Sequence, residues 1–128
     1  MIFVDTNYYI RLLIGDDADG ARLVSRLLLA AAEGKTGLAS DVIVFFEVYW
    51  LLKSFYGSKK EILRNQLRRL LDLKVNWENK EWLIAALDKM ARLSYDLEDA
   101  YHLVWAQEMG AEKLATFDKK LVKEWKSR

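Results

Sequence analysis

The chain has 128 residues, enough for one ordinary domain with a sizeable core. Its 52% hydrophobic and 30% charged residues exclude disordered, collagen-like and low-complexity classes. With 20 Lys+Arg against 19 Asp+Glu the net charge is +1, which excludes a globally basic nucleic-acid coat but not local basic patches. The absence of cysteine excludes disulfides, thiolate zinc sites, iron–sulfur clusters and a thiol nucleophile, and one histidine cannot build a multi-histidine metal centre. No apolar run approaches the ~18 residues of a membrane helix. Asp5 interrupts the opening apolar stretch, which has no basic region before it, so neither a secretory signal nor a membrane span is expected. A cytoplasmic location fits these features.

Residues 1–5 (MIFVD) read as a short buried strand ending in a polar residue. Thr6 to Gly15 reads as a short helix, and Gly15 to Gly20 as a loop. Ala21 to Gly34 is predicted helical, with Leu23, Leu27, Ala30 and Ala31 on one face and Gly34 as C-cap candidate. Gly37 to Ser40 reads as a second strand. Ser40 or Asp41 can cap the next helix, which runs to about Phe55; being apolar almost all round, it is expected to be buried on most sides.

Ser58 is the expected cap of a helix from Lys59 to Leu71 whose apolar face is Ile62, Leu63, Leu67, Leu70 and Leu71. Lys74 to Trp77 is a third strand candidate. A helix from Asn79 or Lys80 to Leu93 turns Trp82, Leu83, Ala86, Leu87 and Met90 inward. Asp96 caps a helix to Gly110, Lys113 to Phe117 reads as a fourth strand, and Asp118 caps the last helix. With no proline, linker or repeat, residues 1–128 are expected to form a single domain. Short apolar strands between helices predict an α/β fold, a parallel sheet with helices on both faces. In such sheets reactive groups gather at the carboxyl ends of the strands, where strand order reverses.

Four acids fall under that rule. Asp5 ends the first strand, Asp118 follows the fourth, Asp99 lies in the first turn of the preceding helix, and Glu47 sits among Val44, Phe45, Phe46, Val48, Tyr49 and Trp50. Asp5 and Asp118 also suit plain N-caps, and Asp99 suits a helix-start acid beside Asp96. A carboxylate enclosed by apolar neighbours costs several kcal/mol if unpaired, so Glu47 calls for a cation or a salt bridge to Arg11 or a lysine. Brought together, the four would repel one another until a cation neutralised them. An oxygen-only donor set selects Mg²⁺ or Mn²⁺, which can activate water against a phosphodiester. His102, three residues after Asp99, is expected on the same helix face, either bordering the site or as a packing residue. A receiver-like phosphorylation domain also carries acids at strand ends, but Asp41 is poorly placed as its phosphoacceptor.

Val4-Asp5-Thr6-Asn7, with Arg11 and Gly15-Asp16-Asp17 after it, resembles the opening of PIN-domain proteins, in particular VapC-type toxins. Ser40-Asp-Val-Ile-Val-Phe-Phe-Glu47 is similar to their second motif, Asp96-Leu-Glu-Asp99-Ala100 to the third, and Leu114-Ala-Thr116-Phe-Asp118 to the fourth. The resemblance spans the whole chain in the family's order. It implies a three-layer α/β/α fold with about four strands and about seven helices, and a Mg²⁺- or Mn²⁺-dependent ribonuclease. Asp5, Glu47, Asp99 and Asp118 match the acidic positions, and Thr6, Asn7 and Thr116 match the polar residues that support them. The resemblance also implies a small antitoxin partner and a homodimer. Some relatives carry a further acid where this chain has Lys120, so one well-held ion is expected and not two, with Asp96 as a cap. Two alternatives stay open: an RNA-processing PIN nuclease without an antitoxin, and an inactive PIN-like module that only binds RNA or protein.

Any RNA attraction must be local. Lys60, Arg64 and Arg68 recur every four residues on one face of their helix, and Lys119 and Lys120 follow Asp118 directly. With Arg11 these are the candidate RNA contacts; a solvated helix face is the competing reading of the stripe. Tyr8, Tyr9, Tyr49, Trp50, Phe55 and Tyr56 read mostly as core, with some available to form a groove for a partner helix.

Overall fold

The computed structural model describes residues 1–15, 17–57 and 59–128. Among them the chain forms seven helices and three short strands, in two compact units, Met1–Lys80 and Glu81–Arg128. This is the α/β architecture expected, with the helix number as expected and one strand fewer.

The first unit holds β1 (Ile2–Phe3), α1 (Thr6–Ile14), α2 (Ala18–Ala32), β2 (Leu38–Ser40), α3 (Val42–Tyr56), α4 (Lys60–Asp72) and β3 (Asn76–Trp77). The strands are parallel in the order β1-β2-β3, with Ile2 opposite Leu38 and Ser40 opposite Trp77. Both crossovers step in the same direction. Right-handed connections therefore put both helix pairs on one face of the sheet, in keeping with the packing of α1 on α2 and α3, and of α3 on α4. Strand order does not reverse among the described strands.

Buried side chains lock the end of β1 to the rest of the unit. Ser40 Oγ donates to the Val4 carbonyl at 2.7 Å. Its single proton is thereby committed, so the Tyr9 hydroxyl, 2.7 Å away, is the donor to Ser40. Tyr9 is fully buried, which pushes its hydroxyl up to about 12, against a smaller lowering by the Ser40 bond. Its ring lies 5.0 Å from that of Trp77, which meets Phe45 edge-on at 5.5 Å and donates its indole N–H to the Leu70 carbonyl at 3.0 Å.

Several expectations are corrected here. Ile2 and Phe3 are exposed, not buried, because β1 is an edge strand with β2 alone beside it; burial resumes at Val4. The loop after Gly15 ends sooner than expected. Asp17 caps α2 by accepting the Gly20 N–H at 3.2 Å, and Gly20 is helical. A Cβ there would lie 2.6 Å from Asp17 Oδ2 and 2.8 Å from Arg11 Nη1, so this glycine leaves room for the Arg11–Asp17 ion pair. α2 accordingly turns Gly20, Val24 and Ala31 inward and Leu23 outward. Gly34 takes the left-handed conformation (φ 78°) just past the helix, as its C-cap reading requires. Asp41, not Ser40, caps α3. The expected cap Ser58 lies outside the described residues, and Lys59 makes no side-chain cap to α4. Leu63, Leu67, Leu70 and Leu71 are buried as expected, but Ile62 faces solvent. α3 is two-sided: Val44, Phe45, Phe46, Val48, Tyr49 and Leu52 are buried, while Ile43, Trp50, Leu51 and Phe55 are exposed.

The second unit holds α5 (Lys80–Leu93), which the unit boundary enters at Glu81, then α6 (Leu97–Glu108) and α7 (Lys119–Ser127). Leu83, Ala86 and Leu87 of α5 are buried, and Trp82 and Met90 half-buried. Leu103 of α6 packs with Leu121 and Trp125 of α7, and Tyr95, Ala106, Ala111 and Leu114 close around them. The fourth strand expected at residues 113–117 is not formed. A local turn competes with it: Thr116 Oγ1 accepts the Asp118 N–H at 3.1 Å and bends the chain into α7.

The hydroxyl relay gives an ordered prediction. Tyr9→Phe removes one donor and should lower stability by about 1 kcal/mol, whereas Ser40→Ala strands the buried Tyr9 hydroxyl and the Val4 carbonyl and should cost about 1–3 kcal/mol. Urea unfolding of the two variants checks this; a larger loss for Tyr9→Phe contradicts the assigned donor order.

Candidate active site

In the first unit an acid follows each parallel strand. Asp5 comes two residues after β1, Asp41 directly after β2 and Glu78 directly after β3. Asp5 caps α1 from an extended backbone, its Oδ1 accepting the Thr6 N–H at 2.7 Å. Asp41 accepts the Val44 N–H at 2.9 Å and Glu78 the Val42 N–H at 3.0 Å, so both serve the start of α3. This role of Glu78 was not legible in sequence, because it depends on β3 lying beside β2. Thr6 is buried, and its Oγ1 has no hydrogen-bond partner. A buried hydroxyl left open beside Asp5 is a place where water or a ligand atom would be gained. Asn7 is exposed.

Glu47 is exposed, in contrast to the enclosed carboxylate expected. It lies on the face of α3 that also carries Ile43, Trp50 and Leu51, one helical turn to either side. The apolar neighbours read from the sequence thus belong largely to the opposite face, and the expected desolvation cost does not arise. Arg11 pairs with Asp17, its Nη1 2.6 Å from Oδ2, not with Glu47. Lys60 and Arg68 are exposed on α4 and Arg64 is half-buried.

In the second unit Asp99 feels the charge of Asp118. The Asp99 carboxyl is raised above its ordinary value, first by burial, then by the charge of Asp118, with smaller pushes from Asp96 and Glu98 and a lowering by His102. Asp118 caps α7, accepting the N–H groups of Lys120 at 2.9 Å and Leu121 at 3.3 Å. Asp96 takes the N-cap position of α6 as expected, without a side-chain capping bond. Tyr95, which sequence reasoning did not single out, donates its hydroxyl to the Lys120 carbonyl at 3.0 Å. Its own ionisation is pushed up, by burial first and then by Glu124, Asp118 and Asp99. Glu98 was likewise missed: its Oε1 is buried without a hydrogen-bond partner. Three acids within Asp96–Asp99 were the available signal. Lys119 and Lys120 are exposed in the first turn of α7, where the helix dipole gives a cation no support.

The donor chemistry fits a hard divalent cation. In the second unit the Asp99 carboxyl stands under the charge of Asp118, and in the first the open Thr6 hydroxyl adjoins Asp5; the candidate donors of each are all oxygen. Among the described residues no three His, Asp or Glu side chains stand close enough to form a ready-made metal cage. Among the same residues no helix is long and apolar enough to cross a membrane.

The family model of the PIN domain matches residues 2–124, and the chain belongs to the PIN domain family. No curated protein and no solved structure gives a significant match. PIN domains are generally metal-dependent nucleases that use Mg²⁺ or Mn²⁺.

The raised Asp99 carboxyl means that the folded chain holds this proton more tightly than the unfolded chain. That contribution is fully present below the ordinary carboxylate range and is lost as pH rises through the Asp99 midpoint. In metal-free protein, Asp118→Asn, which keeps the capping oxygen, should lower the Asp99 midpoint while leaving it above its ordinary value, because burial is the larger cause. Carboxyl-carbon NMR titration reads this directly, and an unchanged midpoint contradicts the coupling.

Proposed function

We propose that this chain is a divalent-metal-dependent endoribonuclease, the toxin of a VapBC-type pair, in which both units build one PIN domain. The observation that carries the reading is the PIN match over residues 2–124, and the charge of Asp118 acting on the Asp99 carboxyl is in keeping with it. Asp5, Glu47, Asp99 and Asp118 would hold a Mg²⁺ or Mn²⁺ ion, with Thr6, Asn7 and Thr116 supporting them. When bound, such an ion orients water, lowers its pKa and offsets charge on the phosphodiester.

The chain's own residues supply the rest. Asp5 and Asp118 are held by the helix starts they cap, which fixes their carboxylates at little further entropic cost. Thr116 steers Asp118 through the backbone N–H it accepts. Lys119 and Lys120 offer exposed charge beside Asp118 for RNA phosphates, and Lys60, Arg64 and Arg68 offer a second basic strip. Arg11, held by Asp17, is a weaker candidate, because its charge is already balanced.

Exposed Ile43, Trp50, Leu51 and Phe55 on α3 support a protein partner, as a homodimer and an antitoxin would require. A cytoplasmic site of action accords with the cysteine-free sequence.

Cleavage of RNA by the full chain with Mg²⁺ or Mn²⁺ tests the reading. Asp5→Asn and Asp99→Asn should each reduce the rate by roughly 100-fold or more, since even outer-shell partners of a metal are worth about 10–100-fold. Cleavage that continues undiminished in excess EDTA, or wild-type rates in both variants, overturns it. Cleavage with no antitoxin encoded beside the gene would instead favour an RNA-processing nuclease.

A further inference from the structure

The second unit contains a cavity of about 500 Å³. Tyr101, His102 and Trp105 of α6 form one wall, and Leu114, Thr116 and Leu121 lie around the rest. Its size falls within the roughly 300–1,000 Å³ of small-molecule sites. The lining is mainly apolar and aromatic, with Tyr101, His102 and Thr116 as the residues that carry polar groups. Trp105 is 45% exposed, an unusual position for an indole that serves only packing.

Two links tie this cavity to the acidic pair. His102 lies one helical turn after Asp99, on the same face of α6, and its charge is felt by that carboxyl. Thr116 Oγ1 accepts the Asp118 N–H at 3.1 Å, leaving its own hydroxyl proton to donate. One cavity residue therefore adjoins each of the two carboxylates.

We propose that this cavity seats one unpaired nucleobase of the RNA next to the phosphate that is cut. Aromatic side chains stack on a base of any identity, while a histidine and a hydroxyl can hydrogen-bond its edge. Within the nuclease reading, on which this inference rests, Trp105 and His102 are base-contacting residues and determine which nucleotide flanks the cut.

The test uses metal-free full-length protein and adenosine and uridine 5′-monophosphates as probes. In ¹⁵N NMR titrations, the amides of residues 101–106 and 114–116 should shift and saturate. Trp105→Ala should weaken that binding roughly 5- to 100-fold, in the range of base stacking on an aromatic side chain. His102→Ala, at an exposed position, is the second variant should the first fail to fold. With Mg²⁺ present, Trp105→Ala and His102→Ala should change which nucleotide flanks the cut in an RNA of mixed sequence. Shifts that map elsewhere, or a folded variant that binds as tightly as wild type, overturn the base site whatever the RNA assay gives. Saturable binding at this cavity without RNA cleavage upholds the site and removes the nuclease reading instead.

Discussion

Ser40 has one hydroxyl proton, and the structure commits it to the carbonyl of Val4. The residue before Asp5 is thereby tied to the last residue of β2, and Tyr9 closes the arrangement from α1. Strands of two or three residues offer few ladder bonds, so a buried side-chain relay has a large share in fixing where β1 ends. Asp5 inherits its place from that relay. Removing the serine would do more than delete a bond, because two buried polar groups would be left without partners. The relay is buried, and the Tyr9 ring packs on Trp77, which in turn meets Phe45.

The second unit works by the opposite principle. Where the relay satisfies every group it contains, Asp99 and Asp118 are held in mutual opposition, and Tyr95 feels both. Asp118 is held in place by the two backbone N–H bonds it accepts at the start of α7. Burial and the charge of Asp118 raise the Asp99 carboxyl, and His102 acts on it in the opposite sense. PIN domains generally use a divalent metal, and the ribonuclease activity proposed above would place it at this pair.

Much of this was legible in the sequence because the signals were local. Caps at Asp5, Asp41 and Asp118, the left-handed Gly34, and the apolar faces of α4 and α5 all follow from residues within a few positions of one another. The four motifs led to the PIN family, which the match over residues 2–124 bears out. What failed needed long-range knowledge. The apolar run of α3 reads as a buried helix, yet Glu47 and Trp50 share its open side. Residues 113–117 read as a strand, but Thr116 folds them into a turn. Glu78 looked like an ordinary surface acid, and only the pairing of β2 with β3 brings it to the start of α3.

The central proposal is that carboxylates distant in sequence, Asp5, Glu47, Asp99 and Asp118, share one divalent ion. Substoichiometric Mn²⁺ added to ¹⁵N-labelled full-length protein measures this directly, because the ion broadens only nearby amides. The expected result is simultaneous loss of signal around residues 5–7, 47, 98–100 and 116–119. Broadening confined to the surroundings of Asp99 and Asp118, with Asp5 and Glu47 untouched, would contradict a shared site.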